Sequence, residues 1–267
     1  MSIHFIDSHA HLTDDAFDDD RDAVVAQSFA AGTRNIIEIG CETGEWRPAL
    51  DLAAKYDGKI FAALGLHPSC AGQYSESAFA ELRKLLDDKR VVAIGEIGLD
   101  YIHMSTTIEQ QQEIFAKTLD ITKEVKKPII LHARKNNING DYGVYEDLFR
   151  VLKQNWNASS GGVLHCFSGR YQDAKAALDT GLKLGINGII TYKKNNDLRE
   201  TMAKAGLQNI LLETDCPYLP PQRVRGKRNT PAYIPEIALF IADYLNIPIE
   251  KVAEITTQNS IEMFDLK

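Results

Sequence analysis

Cysteine is sparse in this chain. The four thiols, Cys41, Cys70, Cys166 and Cys216, form no CxxC pair, which argues against a structural zinc knuckle. A chain of 267 residues buries enough apolar surface to fold without disulfide support. No stretch approaches the ~20 uninterrupted apolar residues of a membrane span. The N-terminal MSIHFIDSHAHL brings in polar groups too early for a secretory h-region. Free thiols and the missing leader together predict a reducing, cytoplasmic location. Basic residues are outnumbered, 30 Lys and Arg against 37 Asp and Glu, for a net charge of −7. That argues against a protein coating nucleic acid by nonspecific charge. It leaves open an enzyme acting at a phosphodiester, where bound ions supply the local positive charge. Linkers and low-complexity tracts are also lacking, so residues 1–267 read as one domain, with no obligate protein partner and no membrane contact expected.

What the chain has is a repeated alternation. Eight short runs rich in Ile, Val and Leu fall near 3–7, 35–39, 60–65, 91–95, 128–132, 162–165, 184–190 and 210–214. Continuous apolar runs of this kind are typical of buried parallel strands. Segments with apolar spacings of three and four lie between them, most clearly 15–31, 76–88, 108–125 and 172–180. Gly32, Gly181 and Gly206 follow helical runs, where a left-handed residue is wanted. Helices near 231–245 and 248–264 would pack the last strand. Strand and helix alternating eight times predict an α/β fold, either a TIM-type (β/α)8 barrel or a doubly wound sheet. The barrel is favoured because only a closed ring sets the end of strand one beside the end of strand eight.

The polar residues at the run ends sharpen this. His9 and His11 follow IHFID, His67 follows IFAALGL, Glu96 follows VVAIG, His132 follows PIIL, His165 follows GGVL and Asp215 follows NILLET. Residues just past buried strands face the mouth of the fold, so the site is expected at the C-terminal ends of the strands. Imidazole and carboxylate are ligands for divalent metals. Side chains two apart in an extended strand point the same way, so His9 and His11 would meet one ion together. Glu96 could bridge two ions, one oxygen on each. His132 and His165 suggest a second metal position. Asp215 could coordinate and accept a proton from an ion-activated water, with Glu213 orienting the site from behind. His67, before Pro68, reads as either a substrate contact or a ligand. Asp100 and Tyr101 read as supporting groups, and His4 and His103 as ordinary polar residues. Cys166, in HCFSG, has no histidine–carboxylate pair placed to activate it as a nucleophile. Arg223, Arg225, Lys227 and Arg228 crowd the loop after the eighth strand, where this fold often binds phosphate, so Arg223 and Arg228 are expected to touch substrate.

The segments FIDSHAHL (5–12), GLHP (65–68), VVAIGEIGLDY (91–101), PIILHAR (128–134), GGVLHCFSG (161–169), LLETDCPYLPP (211–221) and RGKRNTP (225–231) resemble, in order, the TatD family of metal-dependent deoxyribonucleases among the amidohydrolase-like barrels. The resemblance implies two divalent ions (Mg2+, Mn2+ or Zn2+) at the C-terminal face. His9, His11, Glu96 and Asp215 would hold one, Glu96, His132 and His165 the other, and His67 would approach the phosphate. It implies hydrolysis of DNA, commonly as a 3′–5′ exonuclease. Two features depart from the family. Thr230 stands where the family often has Glu, and the segment after His132 is longer than usual. Both lie near the mouth and bear on substrate preference.

The expected enzyme is therefore an ester-bond hydrolase, a DNase using a metal-activated water, with Asp215 and Glu96 catalytic and DNA its partner. One rival is another hydrolase on the same barrel, a cyclic amidase or a D-aminoacyl-tRNA deacylase. The fourth run carries Glu96 and no lysine to be carboxylated, which disfavours the amidase. A barrel that only binds metal is a weaker rival, since no ligand is missing.

Overall fold

The computed structural model describes residues 3–134 and 143–266. Most of the long segment after His132 falls at 135–142 and so lies outside them. Eight strands form one all-parallel sheet in sequential order: β1 (Phe5–Ala10), β2 (Thr33–Gly40), β3 (Ile60–Leu64), β4 (Val91–Asp100), β5 (Ile129–Arg134), β6 (Gly162–Leu164), β7 (Leu182–Ile186) and β8 (Ile210–Leu212). Helices α1 (Arg21–Ala30), α2 (Trp46–Lys55), α3 (Glu76–Leu85), α4 (Ile108–Glu124), α5 (Val144–Asn155), α6 (Tyr171–Asp179) and α7 (Asn196–Ala205) alternate with them, and α8 (Ile234–Leu245) and α9 (Ile249–Phe264) follow β8. This is the (β/α)8 barrel, nearly closed. Among the described residues no single helix is long and apolar enough to cross a membrane.

The inner core is small. Ile6, Val92, Ile130, Val163 and Leu211, each the second residue of its strand, cluster with Phe264 and Leu266 from the C-terminal end. A larger apolar layer lies between strands and helices. Apolar packing therefore fills the N-terminal ends of the strands and leaves their C-terminal ends to polar groups.

β8 reaches β1 by a different device from the other strand pairs. Asp7, fully buried on β1, accepts bonds from the Thr214 N–H at 2.9 Å and the Thr214 hydroxyl at 2.5 Å. Beyond it the Asp215 N–H donates to the His9 carbonyl and the His11 N–H to the Cys216 carbonyl, both at 2.9 Å. This seam closes the ring.

Several boundaries differ from expectation. β1 runs through His9, and β4 runs to Asp100, so His9 and Glu96 sit within strands rather than past them. The segment expected as one helix at 15–31 breaks into a short 3-10 turn at Asp15–Phe17 and α1. Helices α2, α5 and α7 fall where the alternation requires a helix, though their bounds were not legible in the sequence. Gly32, Gly181 and Gly206 do take positive φ, at 106°, 87° and 81°.

Candidate metal centre

The strand ends deliver the polar side chains to one place. Asp215 leaves β8 with φ 59° and Cys166 follows β6 with φ 47°. Left-handed backbone costs a non-glycine residue ~1–2 kcal/mol, less for Asp. Strain of this kind gathers where a side chain must be aimed, and here it turns the chain sharply right after two strands that feed the mouth. A cavity of about 820 Å³ opens there, lined by His11, His67, Glu96, His132, His165 and Asp215 among others. His9 lies beneath, fully buried.

The distances describe two adjoining clusters. His9 Nε2 lies 3.2 Å from His11 Nε2, 3.4 Å from Glu96 Oε2 and 3.9 Å from Asp215 Oδ1. His11 Nε2 lies 3.4 Å from the same Asp215 oxygen. On the other side, Glu96 Oε1 lies 2.6 Å from His132 Nδ1, 3.4 Å from His165 Nε2 and 3.8 Å from His67 Nε2. Ligands at about 2.1 Å around a tetrahedral ion stand about 3.4 Å apart, close to most of these separations. The donor set, imidazole nitrogens with carboxylate oxygens, is one that Zn2+ and similar ions take. The residues present therefore fit a divalent metal, and each oxygen of Glu96 faces its own group of histidines.

Charge coupling follows the geometry. Burial pushes the Glu96 carboxyl up, but the charges of His165, His9, His132 and His67 overcome it and hold the group well below its ordinary range. Burial likewise raises Asp215, and His165, with the hydrogen bond from His11, brings it below its usual value. Burial lowers His165, yet the carboxylates of Glu213 and Glu96 carry it to about 10. His67 goes the other way, pressed down to about 3 by burial and by the charge of His132.

A supporting layer holds these side chains. Asp100 Oδ2 lies 3.1 Å from His132 Nε2, and Asp100 Oδ1 accepts the N–H groups of Ile102 and His103. His103, expected to be an ordinary polar residue, puts Nδ1 3.4 Å from Asp100 Oδ2 and lines the cavity. Glu213, fully buried, lies 3.1 Å from His165 Nδ1 and accepts the Cys166 N–H at 2.7 Å. Gly185 makes room for it: a Cβ there would meet Glu213 Oε2 at 2.2 Å. Burial, then Asp215 and Glu213, push the Cys166 thiol well up, and a protonated thiol is no nucleophile.

Arg223 and Arg228 are not brought to the cavity. Arg223 pairs with Glu236 at 2.6 Å. Arg228 pairs with Asp20 at 2.6 Å, donates to the Ala16 carbonyl and lies over the Phe17 ring at 4.7 Å. Three residues went unassigned in the sequence: Asp7 at the seam, Glu38, and Asn229. Glu38 accepts from the Leu12 and Thr13 N–H groups at 2.7 and 2.8 Å. Asn229 Nδ2 donates to the Thr214 and Tyr218 carbonyls at 2.8 and 2.6 Å. All three are fully buried; Asp7 reaches backbone 207 residues away, Glu38 25 and 26, and Asn229 11 and 15.

The family model described as TatD related DNase matches residues 6–265. The uncharacterized metal-dependent hydrolase YabD of Bacillus subtilis (strain 168) is 33% identical over 258 residues, covering 97% of this chain and 98% of its own. The 3′-5′ ssDNA/RNA exonuclease TatD of Salmonella typhimurium is 34% identical over 266 residues, covering 97% and 98%. Among solved structures, YJJV, a TatD homologue from Escherichia coli K12, matches with a TM-score of 0.90 at 30% identity, covering 100% of both chains.

Proposed function

Because the chain belongs to the TatD-related DNase family, a metal-dependent hydrolase family, we propose that it hydrolyses DNA phosphodiester bonds as a 3′–5′ exodeoxyribonuclease. The observation that carries this reading is the divided carboxylate of Glu96, Oε2 toward His9 and Oε1 toward His132 and His165. In this reading His9, His11, Glu96 and Asp215 hold one divalent ion and Glu96, His132 and His165 a second, with Mg2+, Mn2+ and Zn2+ as candidates. Bound there, the ions supply Lewis acidity, easing loss of a proton from water and neutralising phosphate charge.

The chain's own groups do the rest. Asp215, held ionised by its histidine neighbours, accepts the proton released as water attacks phosphorus. Glu213 fixes the His165 ring and Asp100 the His132 ring, so neither imidazole must reorganise during the reaction. His67, kept neutral by burial and by His132, offers Nε2 toward the phosphate. The names of the Salmonella typhimurium and Edwardsiella piscicida relatives, each a 3′-5′ ssDNA/RNA exonuclease, support polarity and substrate class. The whole of residues 1–267 acts as one unit in the cytoplasm, without an obligate protein partner.

The test is a metal-reconstituted assay on end-labelled single- and double-stranded DNA, with D-aminoacyl-tRNA incubated in parallel. Stepwise shortening from the 3′ end is the expected result. Deacylation without DNA cleavage would replace the nuclease reading with the deacylase one.

A further inference from the structure

Outside the metal ligands, the described rim opposes phosphate charge rather than matching it. Among the described residues lining the cavity, Arg134 is the one Lys or Arg, while Asp14, Glu42 and Glu45 add acid to the rim. The guanidinium groups of Arg223 and Arg228 are engaged by Glu236 and Asp20. What the rim does present is an aromatic ring. Tyr218, three residues past Asp215, lines the cavity with 53% of its surface exposed. Its ring stands edge-on to His11, centroids 6.0 Å apart and planes at 69°.

That ring is anchored on several sides. The Tyr218 N–H donates to the Asp215 carbonyl at 2.9 Å. Asn229, fully buried, donates Nδ2 to the Tyr218 carbonyl and its own N–H to the Pro217 carbonyl at 3.0 Å. At the far end the phenol donates to Asp14 Oδ2 at 2.9 Å. Burial, with the Asp14 carboxylate, pushes that hydroxyl up, so it remains a donor across the working pH range. A side chain already fixed at both ends loses little freedom when something packs on it. Leu219 and Ile189 extend the apolar lining of the same cavity.

We propose that Tyr218 is the platform on which the nucleobase next to the scissile phosphate stacks, and that it selects unpaired strand ends. The inference rests on the reading of the chain as a nuclease and adds the group that would recognise the base. Stacking on an aromatic ring needs no positive charge and tolerates every base, which suits an acidic mouth. A base inside a duplex lies between its neighbours and must leave the stack to reach Tyr218, whereas the base at a frayed or single-stranded end is already free.

The experiment uses the metal-loaded wild type, Tyr218→Phe and Tyr218→Ala. Each is given a single-stranded thymidine oligomer and the same oligomer with its 3′-terminal nucleotide lacking the base. The readout is the ratio of kcat/KM for the two substrates. Tyr218→Ala should lower that ratio by about 5- to 150-fold, mainly through KM, the range that loss of one base–aromatic stack implies. Tyr218→Phe keeps the ring and should hold the ratio near wild type. A ratio unchanged in Tyr218→Ala overturns the platform, as does an equal fall in both variants, which would assign the effect to the Asp14 tether. A wild type that cleaves neither oligomer overturns the nuclease reading, and the platform with it, before any variant is compared.

Discussion

Glu96 is the side chain on which the two clusters depend, because its oxygens face different histidines. On the two-ion reading, Glu96→Ala should therefore weaken binding of both ions and His132→Ala mainly of one, as read by elemental analysis of dialysed protein. Full occupancy in Glu96→Ala would assign the bridge to another group. Asp215→Asn keeps the size and one coordinating oxygen but cannot take a proton. Its turnover should fall by ~10²-fold or more with an unchanged circular dichroism spectrum, and near-normal turnover at saturating metal would remove Asp215 from proton transfer. These residues were legible in the sequence because each ends a short apolar run, so type and position spoke together. Asp7, Glu38 and Asn229 were not, because their partners are mostly backbone groups that no residue pattern marks, and that of Asp7 is brought near only by the closed ring. The ion pair of Arg228 was not legible either: Asp20 lies 208 residues away, and no local pattern marks the pair.

At the level of elements, the strands were readable from their apolar runs, but their C-terminal limits were not. Polar residues ended the expected strands early, although β4 carries Glu96, at a register shift between Ile94 and Ile97, and stays paired with β5 to Asp100 and Arg134. The helix expected at 15–31 is cut where Phe17 turns inward beneath Arg228. Arg228→Ala should accordingly lower thermal stability by about 1 kcal/mol, from a lost ion pair and cation–π contact, with metal content unchanged. A shift in the salt dependence of KM without a change in melting would instead return Arg228 to the substrate. The turn leading into β4 carries its own signature. The Arg90 guanidinium and N–H bind Asp88, and the Arg90 side chain above all holds the Asp88 carboxyl down to about 2. A carboxyl lowered on folding adds stability above its unfolded pKa and loses it as pH falls toward the folded one. The stability gap between wild type and Asp88→Asn, about 1 kcal/mol after allowing for partial exposure, should thus persist at neutral pH and narrow below pH ~4 in urea titrations.

On the scale of the whole molecule, the barrel was foreseen from ligands spread between the first and last strands, and the ring closes as that argument requires. The means of closure was not foreseen, since nothing in the first apolar run marks Asp7 as the partner of Thr214. Asp7→Ala removes the acceptor for two Thr214 donors and should destabilise the protein by about 2–4 kcal/mol in urea unfolding. It should also weaken metal binding, because His9 and Asp215 sit on either side of that seam. Loss of stability with normal metal affinity would separate closure from the site.

The seam joins residues 207 apart, and this gives the site a place in time. A ribosome that has completed seven strands has already made His9, His11, Glu96, His132 and His165, yet β1 has no neighbour on its open side and Asp215 has not been made. The half-built chain holds most of a metal-binding constellation without the carboxylate that would take the proton. On the proposed mechanism the proton acceptor arrives only with the residues that close the ring, so the fold and the activity are completed together.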